Sequence, residues 1–226
     1  MRHMFRLILF DIDGTLISTG GAGVKAFAQT CDEVFNLPEA TKNLIFAGRT
    51  DRGLIKDIFQ NHQIPETEEN VAAFFEGYLT RLENFLPDGL NEPLPGVRDF
   101  IAACRQLDSR PHIGLLTGNH PRGAALKLGH YGLWNEFAWG AFGGEETDRN
   151  QVAHQARQLA LKDQPDLQPE EILIIGDTPR DIHCARAIGA KVLAVATGPD
   201  SVELLEPHQP DWVAANLNAI RPAELY

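Results

Sequence analysis

Hydrophobic and polar positions divide the chain into two kinds of segment. Leu7, Ile8, Leu9 and Phe10 are continuously apolar and lead straight into Asp11 and Gly14. Four apolar positions without alternation predict a parallel strand buried on both faces. The period then becomes helical. After the glycine-rich residues 18–23, Val24, Phe27, Ala28, Cys31, Val34 and Phe35 follow helical spacing. A second helix is expected over about 51–60. A third is expected over about 68–86, with Val71, Phe74, Phe75, Tyr78, Leu79 and Leu82 on its stripe. This block is read as helices without a strand.

Breakers at Pro87, Asp88 and Gly89, and again at Pro93, Pro95 and Gly96, close that block. Beyond them helix and strand alternate. Helices over 97–107, 122–131, 151–161 and 179–188 precede strands over 112–117, 137–142, 172–176 and 191–195, with a further short strand over 211–213. Such alternation predicts an α/β fold with a doubly wound parallel sheet. The implied organisation is a Rossmann-like core of residues 1–16 and 91–226, split by an α-helical cap over residues 17–90.

Composition narrows the setting. Of 226 residues, 43 % are hydrophobic, enough for a core that needs neither disulfides nor a structural metal. Cys31, Cys104 and Cys184 are odd in number and scattered, which argues against a disulfide framework. The apolar run at 7–10 is too short for a leader, and none approaches a membrane span, so a cytoplasmic location is expected. Twenty Lys and Arg against 31 Asp and Glu give a formal charge of -11. That balance disfavours nucleic acid and anionic membrane surfaces as partners, but leaves room for a small anion at a local positive spot.

In open α/β sheets ligands bind beyond the carboxyl ends of the strands. The first strand delivers Asp11, Asp13, Gly14 and Thr15 there. The strand over 112–117 delivers Thr117, Gly118 and Asn119, and the strand over 172–176 delivers Asp177 and, one helical turn on, Asp181. Four aspartates in one crevice repel unless a cation lies among them. An oxygen-only set without His or Cys favours Mg²⁺. Several of these residues also have a plain local reading. Thr178, Pro179 and Asp181 fit a helix start, with Thr178 as N-cap. Asn119 could cap the helix that follows it. Arg149 lies beside the start of a helix, where the macrodipole disfavours a cation unless an anion binds nearby; it is either a phosphate ligand or a solvated arginine. In the helical block, Arg49, Thr50 and Asp51 sit at a loop-to-helix junction, where either a cap or a site-facing role is open.

In this order the segments resemble the haloacid dehalogenase superfamily, in its phosphatase branch. The resemblance rests on Asp11-x-Asp13-Gly14-Thr15, an apolar strand ending in Thr117, a basic residue at Arg149, and Gly176-Asp177-x-x-x-Asp181. It covers nearly the whole chain, including a helical cap inserted after the first motif, and is similar to the phosphoglycolate phosphatases. It implies that Asp11 is the nucleophile and Asp13 the general acid and base. It further implies that Mg²⁺ is held by Asp11, the Asp13 carbonyl and Asp177, with Asp181 in support. Thr117 and Arg149, with Gly14, Thr15, Gly118 and Asn119 nearby, would then bind the phosphate. The family's usual Lys is Arg here, a planar fork in place of a point charge.

The substrate so implied is a small phosphorylated metabolite. A sugar phosphomutase of the β-phosphoglucomutase type is the alternative within enzymes. A phospho-accepting receiver-type signalling module is the alternative outside them, although receivers are about half as long and carry the acceptor on a later strand.

Overall fold

The computed structural model describes residues 5–86 and 92–225. The breaker group Pro87, Asp88 and Gly89 lies outside them. The first strand, β1 (Leu7–Phe10), leads through a tight turn into three helices, α1 (Ala22–Phe35), α2 (Asp51–Asn61) and α3 (Glu68–Phe85). Alternating elements follow: α4 (Val97–Arg105), β2 (His112–Thr117), α5 (Pro121–His130), β3 (Gly140–Phe142), α6 (Arg149–Asp163), β4 (Ile172–Gly176), α7 (Pro179–Ala187), β5 (Lys191–Val195), α8 (Val202–Leu205) and β6 (Trp212–Ala214).

The strands form one six-stranded sheet in the order β3-β2-β1-β4-β5-β6, and every pairing is parallel. The apolar run of β1 is fully buried because it occupies an inner position with helices on both faces. Ile8 and Phe10 point into a core with Phe100, Ile101 and Leu128, whereas Leu7 and Leu9 point into a second core with Val152, Ala156 and Ile182. After β1 the chain builds outward through β2 and β3, then returns to pair β4 with the other edge of β1. The direction of winding reverses at β1, so the crevice forms where β1, β2 and β4 end.

Helices α1 to α3 make a third apolar cluster of their own, with Phe27, Phe59, Phe74 and Tyr78 at its centre and Leu126 of α5 packed against it. Caps explain two of the helix starts. Thr50 Oγ1 accepts from the Gly53 amide at 3.1 Å, and Thr67 Oγ1 from the Asn70 amide at 3.2 Å.

The structure moves several expected boundaries. Residues 134–136 form a 3₁₀ turn, and β3 is only the three residues that pair with Leu115–Thr117, so it does not begin at Phe137. The last strand is shifted by one residue, to Trp212–Ala214. Asp148 caps α6, which therefore starts at Arg149 rather than Gln151. In α1 the buried face is Ala22, Ala26, Phe27, Thr30 and Cys31, while Val24 and Val34 are exposed. Helical spacing alone does not decide which apolar residues face inward.

Candidate active site

Asp11 follows β1 directly, and its amide donates to the Ile175 carbonyl of β4 at 2.9 Å, so the first residue past the strand is still tied to the sheet. The chain then folds back. The Gly14 amide bonds the Ile17 carbonyl at 2.8 Å, and Gly14 has φ +80°. A Cβ there would stand 2.2 Å from Asp177 Oδ2, so this position needs glycine both for its backbone and for its space. Thr197 Oγ1 donates to the Gly14 carbonyl at 2.6 Å and fixes the turn from β5's side.

Three carboxylates converge behind this turn. Oxygens of Asp11, Asp177 and Asp181 all lie within 4.8 Å of one another, and all three residues are buried. Asp177 accepts from Thr15 Oγ1 at 3.0 Å. Both oxygens of Asp181 are engaged: Oδ2 takes the Thr178 amide at 3.0 Å and hydroxyl at 2.7 Å, and Oδ1 takes the Arg149 guanidinium. The local reading of Thr178 and Asp181 as a helix start is therefore correct, and the same side chain also joins the acidic cluster.

Arg149 is the cation among these acids. It is the first residue of α6, buried, with Nη2 3.1 Å from Asp11 Oδ1 and in contact with Asp181 Oδ1. It is not a solvated arginine. Burial by itself would lower its proton affinity, but the two carboxylates outweigh that and hold it well above its ordinary range. Burial lifts Asp11 to about 6 although Arg149 pulls the other way, and Asp181 and Asp13 add repulsion. Asp177 is pushed well above the usual carboxylate range, by burial first and then by Asp181 and Asp11. Three carboxylates against one guanidinium leave the cluster short of positive charge. The donor set, oxygen-only and under-compensated, is of the kind that holds a hard divalent cation.

On the other side of Asp11, Thr117 ends β2 fully buried. Asn119 does not cap α5; His120 does, accepting from the Arg122 amide at 3.2 Å. Asn119 instead donates through Nδ2 to Thr117 Oγ1 at 2.8 Å and to Asp13 Oδ2 at 2.8 Å. Lys127 completes this group, with Nζ 2.7 Å from Asp13 Oδ2 and 2.6 Å from Asn119 Oδ1. Sequence reasoning missed Lys127. The available signal was a lysine on the helical face shared by Ala124 and Leu128, where a core residue would be expected.

These groups line a cavity of about 540 Å³. Its far wall comes from the three helices and the loop between α1 and α2: Val24, Phe27, Leu54 and Tyr78 of the helices and Phe46 of the loop supply apolar surface, and Arg49 of the loop and Asp51 supply polar groups. The junction at Arg49–Asp51 does both things open to it in the sequence. Thr50 caps α2, and the same segment docks on the loop after β2. The Asp51 amide donates to the Gly118 carbonyl at 2.7 Å, and Asp51 Oδ2 accepts the His120 amide at 2.7 Å. Arg49 is held by Asp57 at 2.6 Å rather than by solvent. Among the described residues, no helix is long and apolar enough to cross a membrane.

Comparison with known proteins agrees with this geometry. The chain is 26 % identical to phosphoglycolate phosphatase 1 of Pseudomonas aeruginosa over 225 residues, covering 96 % of this chain and 79 % of that one. It is 24 % identical to pyrophosphatase PpaX of Bacillus cereus, covering 95 % and 94 %. Among solved structures, a hydrolase from Pseudomonas syringae superposes with TM-score 0.70 at 19 % identity, covering 95 % of each chain. The β-phosphoglucomutase of Clostridium difficile superposes with TM-score 0.71 at 16 % identity, covering 96 % and 94 %. The profile described as haloacid dehalogenase-like hydrolase matches residues 8–195, from the first residues of β1 to the end of β5. That span takes in the ends of β1, β2 and β4 that line the cavity, and on it the chain belongs to the haloacid dehalogenase-like hydrolases.

Proposed function

We propose that this chain is a Mg²⁺-dependent phosphatase of a small phosphorylated metabolite, similar to the phosphoglycolate phosphatases, and that it works through an aspartyl-phosphate on Asp11. The observation that carries this is the position of Asp11. Its carboxylate belongs to the acidic cluster with Asp177 and Asp181 and, with Thr117, lines a cavity large enough for a small metabolite. Relatives named as phosphoglycolate phosphatases and a pyrophosphatase support phosphate as the group transferred.

The residues fit a divalent cation. Asp11 and Asp177, with the Asp13 carbonyl, would hold it, and Asp181 would support it while fixing Arg149. When bound, Mg²⁺ would compensate the acidic cluster and polarise the phosphoryl oxygens. Asp11 Oδ attacks phosphorus in line while the bond to the leaving oxygen breaks. Asp13 gives its proton to that oxygen, so that an alcohol departs rather than an alkoxide. Asp13 then takes a proton from water as the water attacks phosphorus, releasing phosphate and restoring Asp11. Thr117, whose oxygen already accepts from Asn119, offers its hydroxyl proton to the phosphoryl group. Arg149, Gly118, Asn119 and the Gly14–Thr15 turn complete the phosphate surroundings. The helices within residues 17–90 act as a lid on a core of residues 1–16 and 91–226, excluding water and contacting the leaving group.

Asp11→Asn is expected to lower hydrolysis of p-nitrophenyl phosphate at least ~10³-fold with an unchanged melting curve. Activity near wild type would remove Asp11 as the nucleophile. Chelation should stop turnover and added Mg²⁺ restore it. A screen of phosphorylated metabolites that found isomerised product dependent on a bisphosphate, with little free phosphate, would favour a phosphomutase instead.

A further inference from the structure

The ammonium of Lys127 has no place in the mechanism above, yet it is one of the most buried charges at the cavity, 5 % exposed. Taking an ammonium out of water costs several kcal/mol unless partners offset it. Here both partners belong to the site: Asp13 Oδ2 at 2.7 Å and Asn119 Oδ1 at 2.6 Å. Asn119 Nδ2 then reaches the same Asp13 oxygen, Oδ2, at 2.8 Å. Two donors therefore converge on one oxygen of a carboxyl group that stands in a turn with its side chain 42 % exposed. Without them the Asp13 side chain would be free to rotate in the cavity. The Asn119 amide also bonds Thr117 Oγ1, so lysine, amide, hydroxyl and carboxyl form one connected frame.

We propose that Lys127 is a positioning residue for Asp13, acting with Asn119 to clamp Oδ2 and leave Oδ1 to exchange the proton with the leaving-group oxygen. A proton-transfer group must lie within hydrogen-bond reach of its target, and a displacement of about 1 Å can cost ~10²-fold in rate. The first step balances as before: the bond from Asp11 to phosphorus forms, the bond to the leaving oxygen breaks, and the proton on Asp13 Oδ1 moves to that oxygen. In the second step a proton from water returns to Oδ1. Lys127 loses no proton in either step. This assignment rests on the phosphatase reading.

The test uses single-turnover release of substituted phenols from aryl phosphates. Good leaving groups depart without help from an acid, and poor ones do not. Lys127→Met should slow release of unsubstituted phenol at least ~10-fold, part of the roughly 10²–10⁴ that a general acid contributes, while p-nitrophenol release changes less than about 3-fold. Asp13→Asn should show the same dependence on leaving group, and the double variant should lose little more than either single one. Lys127→Gln, which keeps a donor without the charge, is read in the same way should the Met variant fail to fold. An equal loss for every leaving group, or no loss, overturns the positioning role and leaves the phosphatase reading standing. Activity retained by Asp11→Asn would overturn that reading instead.

Discussion

Arg149 illustrates how one side chain carries two obligations. It offsets Asp11 and Asp181, and its own burial is tolerable only because they are there. Removing it leaves two buried carboxylates facing each other. Arg149→Ala should therefore lower unfolding stability by about 3–5 kcal/mol, measured by urea denaturation. If the guanidinium also meets the phosphoryl group, the same variant should bind vanadate more weakly. Unchanged vanadate affinity would confine Arg149 to the structural duty. Asp11 and Asp177 were legible in the sequence because a carboxylate directly after an apolar strand has little other reason to be there. Lys127 was not, because a lysine within a helix is ordinarily solvated, and its place on the face of Ala124 and Leu128 acquires a partner only when the fold brings Asp13 to it.

Among the elements, the start of α2 is where the helical block meets the sheet. Asp51 sits on that junction, buried, accepting the His120 amide. Burial lifts its carboxyl to about 6, with Lys127 and the His120 amide pulling down and Asp13 adding repulsion. A carboxyl group with a raised folded-state pKa favours folding while it is protonated. That contribution is full below about pH 4 and is lost as pH rises through about 6. Asp51→Asn removes the titration and keeps an acceptor. The stability of wild type relative to this variant should fall by up to about 3 kcal/mol between about pH 4 and pH 7, followed by urea unfolding at each pH. A difference independent of pH would mean that Asp51 does not titrate in this range. The strands were readable because their apolar runs were continuous, and β3 was misread because only three of its residues find a partner.

For the whole molecule, the decisive contact is the approach of the helical block to the loop after β2. Gly118 permits it: a Cβ there would stand 2.0 Å from the Arg49 carbonyl oxygen, and backbone cannot yield as a flexible side chain does. Two backbone hydrogen bonds hold the block in place, Asp51 to Gly118 in that loop and Arg52 to Gly143 just after β3. Gly118→Ala should loosen it, speeding hydrogen exchange at the Asp51 and Arg52 amides by about 10- to 30-fold, as expected for two bonds of ~1 kcal/mol each. Amides in β1 and β4 should be unaffected, since the sheet does not depend on this contact. Equal acceleration throughout would mean that the two parts unfold as one unit.

The sequence by itself determined the alternating architecture, the run of helices after the first strand and which residues stand at strand ends. Each of these follows from local periodicity, from turn residues and from the rule that such sheets bind ligands at their carboxyl edge. The excess of acid over base disfavours polyanionic partners and indicates no site. Only the tertiary structure decided how the charges are shared: Arg149 against Asp11 and Asp181, Lys127 against Asp13, and Asp51 against the backbone of the next loop. Those partners lie from 32 to 138 residues apart for the ion pairs with Arg149 and at comparable separations elsewhere. No window of local sequence encodes such pairings; they exist because the sheet order places β1 between β2 and β4.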